Sequence, residues 1–256
     1  MSRNISPSMK SANSTYEPTQ DIKRIEFKLW NLFHKACADY RLLEDGDRVL
    51  IGLSGGKDSL ALVELLGRQS AIHKPHIEVC AVHIRQEHIN YISDTDYLAE
   101  FCHAHNVTLH IRTTGYEMRD NSKRSHCFMC SWTRRKMLFG TAKELNCNKI
   151  ALGHHKDDIA QTALLNLFFQ GNFDSIAPTT VMNKFPMTLI RPLCLINERD
   201  VALLAQFHNY QSQQKACPYE HESMRDTIKH IITEIEHVSP YVKENIWHAL
   251  NYTKLS

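Results

Sequence analysis

The sequence has 256 residues, of which 43% are hydrophobic and 23% are charged, and its formal net charge is +2. This is the composition of an ordinary folded protein, and no apolar stretch approaches the length of a transmembrane helix, which excludes a helical membrane protein. The net charge is too small to indicate a nucleic-acid partner by itself.

The N-terminal part of the chain is polar. Residues 1–20 lack the apolar core of a secretory signal, so we predict a disordered start and a cytoplasmic location. In that reducing compartment the eight cysteines do not form a disulfide framework. A helical lead-in is predicted over residues 21–46, because apolar residues recur there at helical spacing until Gly46 ends the pattern.

From residue 47 to residue 212, short apolar strand patterns alternate with amphipathic helix patterns. This alternation predicts a doubly wound α/β fold, in which helices cover both faces of a parallel sheet and ligands bind beyond the carboxyl ends of the strands. Residues 213–256 are predicted to form a helical extension. In chain order the predicted elements are strand Val49–Leu53, a helix to about Arg68, strand Ile77–Ile84, helix Asp96–His105, strand Val107–Ile111, helix Ser131–Leu145, strand Lys149–Leu152, helix Asp157–Phe169, strand Thr188–Leu193 and helices Glu198–Tyr210, Met224–Val238 and Tyr241–Leu255.

A glycine-rich loop follows the first predicted strand. Its backbone N–H groups and Lys57 stand at the start of a helix, which favours a bound phosphate. Asp58 beside a phosphate is unfavourable unless a divalent cation lies between them, so the loop predicts a bound Mg-nucleotide. The loop differs from the Walker pattern, because Gly52 is one residue too close to the Gly-Lys pair and Asp58 takes the place of the Ser or Thr that follows the lysine there. The loop residues are Ser54, Gly55, Gly56, Lys57, Asp58 and Ser59.

A second polar segment, Gly153-His154-His155-Lys156-Asp157-Asp158, follows a later strand and precedes a helix. Gly153 allows a close backbone approach, and one aspartate is expected to cap the helix while the other faces the nucleotide. The alternative is that the aspartates serve only as helix caps, which needs no ligand.

Three cysteines lie outside the apolar patterns. Cys127 and Cys130 form a Cys-x-x-Cys pair at the end of a polar loop, where a helix N-terminus and nearby cationic side chains favour thiolates. Cys217 precedes a proline and has little packing reason to exist. The pair alone is compatible with a redox couple, half of a zinc site or part of an iron–sulfur site. The other cysteines are expected to be core or surface residues: Cys37, Cys80, Cys102, Cys147 and Cys194.

The first loop resembles that of the ATP-pyrophosphatase (PP-loop) superfamily, whose members cleave ATP between the α- and β-phosphates and adenylate a substrate. The second segment resembles the Gly-His-x-x-Asp-Asp motif of the superfamily's tRNA-modifying branch. With the three cysteines, the chain is similar from about Arg41 to Arg225 to the tRNA 2-thiolation enzymes, most closely to the tRNA 2-thiocytidine synthase family. Glu220 departs from a cysteine common in that family, and the terminal zinc clusters of the 2-thiouridine branch are absent.

This resemblance implies an adenine nucleotide α-hydrolase-like, Rossmann-type fold with ATP, Mg²⁺ and a [4Fe-4S] cluster as cofactors. It implies that tRNA is the substrate, that a sulfur donor such as a cysteine desulfurase is a partner and that the protein is a homodimer. The implied catalytic residues are Lys57, Asp58, Asp157 and Asp158, the nucleotide-binding residues are the six loop residues with Gly153 and His154, and the cluster ligands are Cys127, Cys130 and Cys217.

Basic side chains flank the cysteine pair and are candidates for RNA contacts, with three histidines as auxiliary contacts. Three other functions remain open: a tRNA 2-thiouridine synthase of the same superfamily, an adenylating ligase of the lysidine-synthetase type, which uses no cluster, and a nucleotide-binding zinc or redox sensor. The RNA-contact candidates are Lys123, Arg124, Arg134, Arg135, Lys136, His103, His105 and His126.

Overall fold

The computed structural model describes residues 18–87, 91–92, 94–117, 125–183, 185–211, 213–215 and 224–250. Within these ranges strands and helices alternate, as predicted. The elements are α1 (Pro18–Asp39), β1 (Asp47–Gly52), α2 (Lys57–Ser70), β2 (Ile77–Gln86), β3 (Tyr91–Ile92), α3 (Thr95–Ala104), β4 (Thr108–Thr114), α4 (His126–Glu144), β5 (Lys149–Ala151), α5 (Lys156–Gln170), β6 (Thr179–Val181), β7 (Thr188–Ile190), α6 (Glu198–Phe207), β8 (Gln214–Lys215), α7 (Met224–Val238) and α8 (Val242–Ala249).

The main sheet has six strands in the order β4-β2-β1-β5-β7-β6. Strand β1 is central and pairs in parallel with β2 and β5, while β6 pairs with β7 in antiparallel fashion at the edge. The predicted doubly wound α/β fold is therefore confirmed, with an antiparallel edge strand added. Strands β3, β6 and β8 were not predicted, because two or three residues are too few to show an alternating pattern.

Each face of the sheet has its own hydrophobic core, as the side chains of β1 show by pointing alternately to the two faces. Val49 and Ile51 point into a core shared with the buried side of α2, whereas Leu50 points into a core shared with α4. Successive strand residues face opposite sides, so one fully buried strand contributes to both cores. Among the cysteines expected to be core or surface residues, Cys102, Cys147 and Cys194 are buried, while Cys37 and Cys80 are half-buried.

Helix α4 begins at His126, so the predicted start near Ser131 was wrong. Ser125 is the N-cap, and its Oγ accepts a hydrogen bond of 3.2 Å from the backbone N–H of Phe128. The cysteine pair therefore lies on the first turns of the helix and not in the preceding loop. Helix α1 likewise begins at Pro18, so residues 18–20 are helical where a disordered stretch was predicted.

The C-terminal helices pack on α5. Ile228 and Ile232 of α7 are one helical turn apart and contact the apolar side of α5, where Ala163 is fully buried. This packing brings the polar sides of α7 and α8 close to the N-terminus of α5. None of the described helices is both long and apolar enough to cross a membrane.

Candidate functional site

The glycine-rich loop joins the end of β1 to the start of α2. Gly55 has a φ of +84°, a conformation that favours glycine, and Gly56 is the N-cap of α2 without a side-chain cap hydrogen bond. The hydroxyls of Ser54 and Ser59 lie 3.1 Å apart and accept hydrogen bonds from the N–H groups of Gly56 and Gly55, respectively. The serines thus brace the loop, and the N–H groups that begin α2 have no side-chain cap, an arrangement that favours a bound anion.

The second predicted segment lies against this loop. A Cβ atom at Gly153 would lie 3.1 Å from the carbonyl carbon and oxygen of Asp58 and 3.2 Å from the backbone nitrogen of Ser59. The two loops therefore touch through their backbones, and the close approach predicted for Gly153 is an approach to the first loop.

A cavity of about 460 Å³ lies beyond the carboxyl ends of β1, β2 and β5. This is where ligands bind in sheets of this type. Two arginines that are distant in sequence, Arg134 of α4 and Arg225 of α7, also line it. The predicted site residues that line it are Ser54, Asp58, Ser59, Gly153, His154 and Asp158.

The structure separates the two aspartates at the start of α5. Asp158 lines the cavity, forms a reciprocal capping box with His155 and lies 3.5 Å from Arg225. Asp157 does not line it: its Oδ2 accepts a 2.6 Å hydrogen bond from the backbone N–H of Glu198, and its Oδ1 pairs with Lys243. The prediction that one aspartate caps α5 while the other faces a nucleotide needs correction, because Asp158 both belongs to the capping box of α5 and lines the cavity. Asp157 instead accepts a hydrogen bond from the first N–H of α6, whose N-cap is Asn197.

Lys57 is held by two carboxylates. Its Nζ lies 3.1 Å from Asp58 Oδ2 and 3.2 Å from Glu198 Oε1. Burial lowers the pKa of Lys57, but the two carboxylates outweigh this effect and raise it. Burial raises the pKa of Glu198, whereas Lys229 at 2.8 Å and Lys57 bring this pKa down to about 2. Glu198 was missed in the sequence, where it appears only as an acid in the first turn of a predicted helix.

Two polar atoms that face the cavity are buried and lack a hydrogen-bond partner among the described residues. They are Oδ1 of Asp58 and Nδ1 of His154. Burial lowers the pKa of His154 to about 4, so its ring is neutral at pH 7. Buried polar groups rarely stay unsatisfied, so both atoms fit contacts with a bound ligand: a cation for the carboxylate, and a hydrogen-bonding group for the imidazole.

The cysteine pair lies next to the same cavity. Cys127 is exposed and Cys130 is half-buried, and Nη2 of Arg134 lies 3.8 Å from the sulfur of Cys130. Gln86 Nε2 donates a 3.1 Å hydrogen bond to the backbone carbonyl of Cys130, which fixes the first turn of α4 against β2. Arg134 thus touches the sulfur with one end of its guanidinium and lines the cavity.

Cys217, Lys123 and Arg124 lie outside the described residues. Described residues on both sides of Cys217 in the sequence reach the site: the backbone N–H of Gln213 donates a 3.0 Å hydrogen bond to the carbonyl of Gly55, and Arg225 lines the cavity. Among the residues that the structure describes, no three His, Cys, Asp or Glu side chains form a metal-binding cluster. Two thiols at an exposed helix N-terminus do fit part of an iron–sulfur site, because thiolates are its usual ligands.

Residues 23–236 match the family model of the PP-loop domain. The chain belongs to this family. This membership confirms the superfamily resemblance inferred from the two loops and agrees with their contact in the structure.

Curated relatives cover most of the PP-loop chain. It is 31% identical over 233 residues to the tRNA-cytidine(32) 2-sulfurtransferase of Geotalea uraniireducens, covering 89% of this chain and 92% of that one. The enzyme of the same name from Geobacter sulfurreducens is 35% identical over 231 residues, covering 87% and 88%. The U34-tRNA thiolase NcsA from Methanococcus maripaludis, solved with its [4Fe-4S] cluster, superposes with a TM-score of 0.75 at 24% identity, covering 95% of this chain and 86% of that one, and so shares the fold.

The contact between the two loops leads to a prediction for Gly153→Ala. The added methyl group would press on backbone atoms that cannot move aside, so we expect a loss of about 1–3 kcal/mol of stability. For a chain of this size that corresponds to a Tm lower by roughly 2–10 °C, and ATP should bind more weakly. Thermal unfolding and ATP titration measure both effects.

The matched control is Gly140→Ala. A Cβ at Gly140 meets nothing within 4 Å, and this residue lies inside α4, where alanine is favoured over glycine by about 1 kcal/mol. The control should therefore raise the Tm slightly and leave ATP binding unchanged. Equal behaviour of the two variants would contradict the close packing of the loops.

Proposed function

We propose that this protein is an ATP-dependent tRNA sulfurtransferase that adenylates the C2 oxygen of a cytidine and replaces it by sulfur, giving 2-thiocytidine. The observation that carries the proposal is that one cavity is lined by the glycine-rich loop and by the helix that bears the cysteine pair. Arg134 of that helix lines the cavity and lies 3.8 Å from the sulfur of Cys130. The names of the relatives support cytidine, at position 32 of the tRNA, as the target.

ATP is proposed to lie in the cavity with its phosphates on the uncapped N-terminus of α2 and on Lys57. Mg²⁺ would be held by Asp58 and Asp158, the two carboxylates that line the cavity. Oδ1 of Asp58, which makes no hydrogen bond to the described residues, supports this assignment, since a hard cation prefers oxygen ligands. Asp157 is assigned a structural role at the N-terminus of α6, because it lies outside the cavity.

In the activation step the C2 oxygen of the base attacks the α-phosphate and pyrophosphate leaves. The chain contributes fixed positive charge around the phosphates through Lys57 and Arg225, and this charge stabilises the transition state in place of water. Neutral His154 is positioned to hydrogen-bond the nucleotide or the base without adding charge. The adenylated oxygen then becomes a good leaving group.

A [4Fe-4S] cluster is proposed to be held by Cys127, Cys130 and Cys217. When bound, it would supply a sulfide at the iron that lacks a protein ligand. Arg134 stabilises negative charge on Cys130 and, across the cavity, on the phosphates. The positions of Gln213 and Arg225 support Cys217 as the third ligand, since Cys217 lies between these two site residues in the sequence.

Further parts of the proposal rest on the resemblance to the tRNA thiolases. Residues 47–212 would form the activating domain and residues 213–256 the extension that carries the third cysteine. We propose a homodimer in the cytoplasm that receives sulfur from a donor such as a cysteine desulfurase. Sedimentation velocity tests the dimer, and a thiolation assay with and without a desulfurase and cysteine tests the donor.

The test of the function is mass spectrometry of tRNA nucleosides from a strain that lacks the gene. We expect 2-thiocytidine to disappear and to return when the wild-type gene is supplied, but not when the Asp58→Asn variant is supplied. Loss of 2-thiouridine instead would move the proposal to that branch of the thiolases. An unchanged nucleoside profile would remove tRNA thiolation from consideration.

A further inference from the structure

Helix α4 exposes aromatic and basic side chains on the side that faces away from the cavity. Phe128 and Trp132 each expose 48% of their surface although both are large and apolar. They are four residues apart, so they project from the same side of the helix, about 40° apart when viewed down its axis. We call this pair the outer aromatic face.

The outer aromatic face and the cavity are on opposite sides of the same helical turns. Arg134 lines the cavity and is two residues after Trp132, which is a rotation of about 200° around the helix. Cys127 directly precedes Phe128 in the sequence, and Cys130 lies midway between the two aromatic residues. The N-terminal half of α4 therefore separates two surfaces: the cavity lies on one side of the helix, and the exposed aromatic rings lie on the other.

The positive charges beside the outer aromatic face favour a polyanion as the molecule that binds there. Arg135 and Lys136 are exposed, and the Lys136 ammonium lies 5.5 Å from the centroid of the Trp132 ring. Helix α4 contains no acidic residue before Glu144, close to its C-terminal end. A nearby carboxylate would repel the phosphate groups on either side of a stacked base, so the lack of acidic residues favours a nucleic acid. A protein partner would not require it.

We propose that Phe128 and Trp132 are a stacking platform for an unpaired base of the RNA substrate, next to the base that enters the cavity. Arg135 and Lys136 neutralise the phosphates on either side of the stacked base. This proposal rests on the proposed function and adds a specific binding element to it. Proteins recognise single-stranded RNA through splayed bases that stack on aromatic side chains. The N-terminal half of α4 would lie between the target base in the cavity and the neighbouring base on the platform.

The test is the affinity for an unmodified tRNA transcript, measured by fluorescence anisotropy at several salt concentrations. Base stacking is worth about 1–3 kcal/mol per ring, so Trp132→Ala should weaken binding by roughly 5-fold to 150-fold. The dependence on salt should stay the same, because no phosphate contact is lost. Arg135→Ala should instead reduce the salt dependence.

Two matched variants control the measurement. Trp132→Phe keeps an aromatic ring and should retain most of the affinity. Phe168→Ala removes a ring that is 56% exposed near the C-terminal end of α5, and should have no effect on tRNA binding. Trp132 is half exposed, so neither change there is expected to lower the Tm by more than a few degrees, and ATP binding serves as the check on folding.

The outcomes separate the platform from the proposed function. If the wild type binds and thiolates tRNA but Trp132→Ala binds it equally well, the platform is refuted and the function stands. If the wild type neither binds nor thiolates any tRNA, the function and the platform both fail. If Trp132→Ala converts a dimer to a monomer in sedimentation velocity, the surface is a contact between two copies and the proposal is overturned.

Discussion

Asp58→Asn is expected to reduce ATP turnover at least about 100-fold while leaving the fold intact. The asparagine has the same shape but no negative charge, so the cavity would lose a ligand for Mg²⁺, whose stabilisation of phosphate charge is worth several kcal/mol. The side chain is suited to this role because Oδ1 is buried without a hydrogen bond, 3.7 Å from Nε2 of His155, and Oδ2 is paired with Lys57. Formation of AMP and pyrophosphate in the presence of tRNA measures the effect.

Asp157→Asn is the matched control, since the residue is adjacent to Asp158 but lies outside the cavity. Its carboxylate accepts the hydrogen bond from the N–H of Glu198 and pairs with Lys243. We expect a lower Tm and a much smaller loss of turnover than for Asp58→Asn. If Asp157→Asn is fully folded and loses more ATP turnover than Asp58→Asn, the roles assigned to Asp58 and Asp157 must be exchanged.

Cys130→Ser is expected to abolish both retention of the cluster and thiolation while ATP still binds. Cys130 is the half-buried member of the pair, and its sulfur lies beside Arg134. A serine hydroxyl is not ionised near pH 7 and is a poor iron ligand compared with a thiolate. Iron and acid-labile sulfide analysis after anaerobic purification, together with an ATP titration, measures the two halves of the prediction.

Cys80→Ser controls for the loss of a thiol. Cys80 is also half-buried, but its sulfur lies 3.7 Å from that of Cys147, and neither of these two cysteines lines the cavity. This variant should keep iron, sulfide and activity. A colourless wild-type protein with stoichiometric zinc would contradict the cluster, and an active, iron-loaded Cys130→Ser would contradict the choice of ligand.

Much of the fold and of the nucleotide cavity was predictable because the signals are local. The glycine-rich loop is continuous in sequence, and its place at a strand end follows from the alternation of strands and helices. The start of α4 was missed because Ser125 is a single capping residue before a segment with no helical periodicity. The resemblance supplied the chemistry that periodicity could not.

The remaining site contacts depend on long-range packing. Glu198 is 141 residues from Lys57 in sequence, and only the packing of α6 beside the glycine-rich loop brings them together. Arg225 reaches Asp158 because α7 packs on α5. No local pattern distinguishes these two charged residues from the many others on helix surfaces, nor does it reveal that Asp157 and Asp158 point in different directions.

The carboxylate of Glu198 has two lysine partners, one on the glycine-rich loop and one on α7. A phosphate that draws Lys57 away changes how strongly that carboxylate holds Lys229, so nucleotide occupancy and the seating of α7 share one free-energy term. Linkage of this kind is reciprocal: the factor by which a bound phosphate would change the strength of the Glu198–Lys229 contact is the factor by which that contact would change the affinity of the loop for the phosphate.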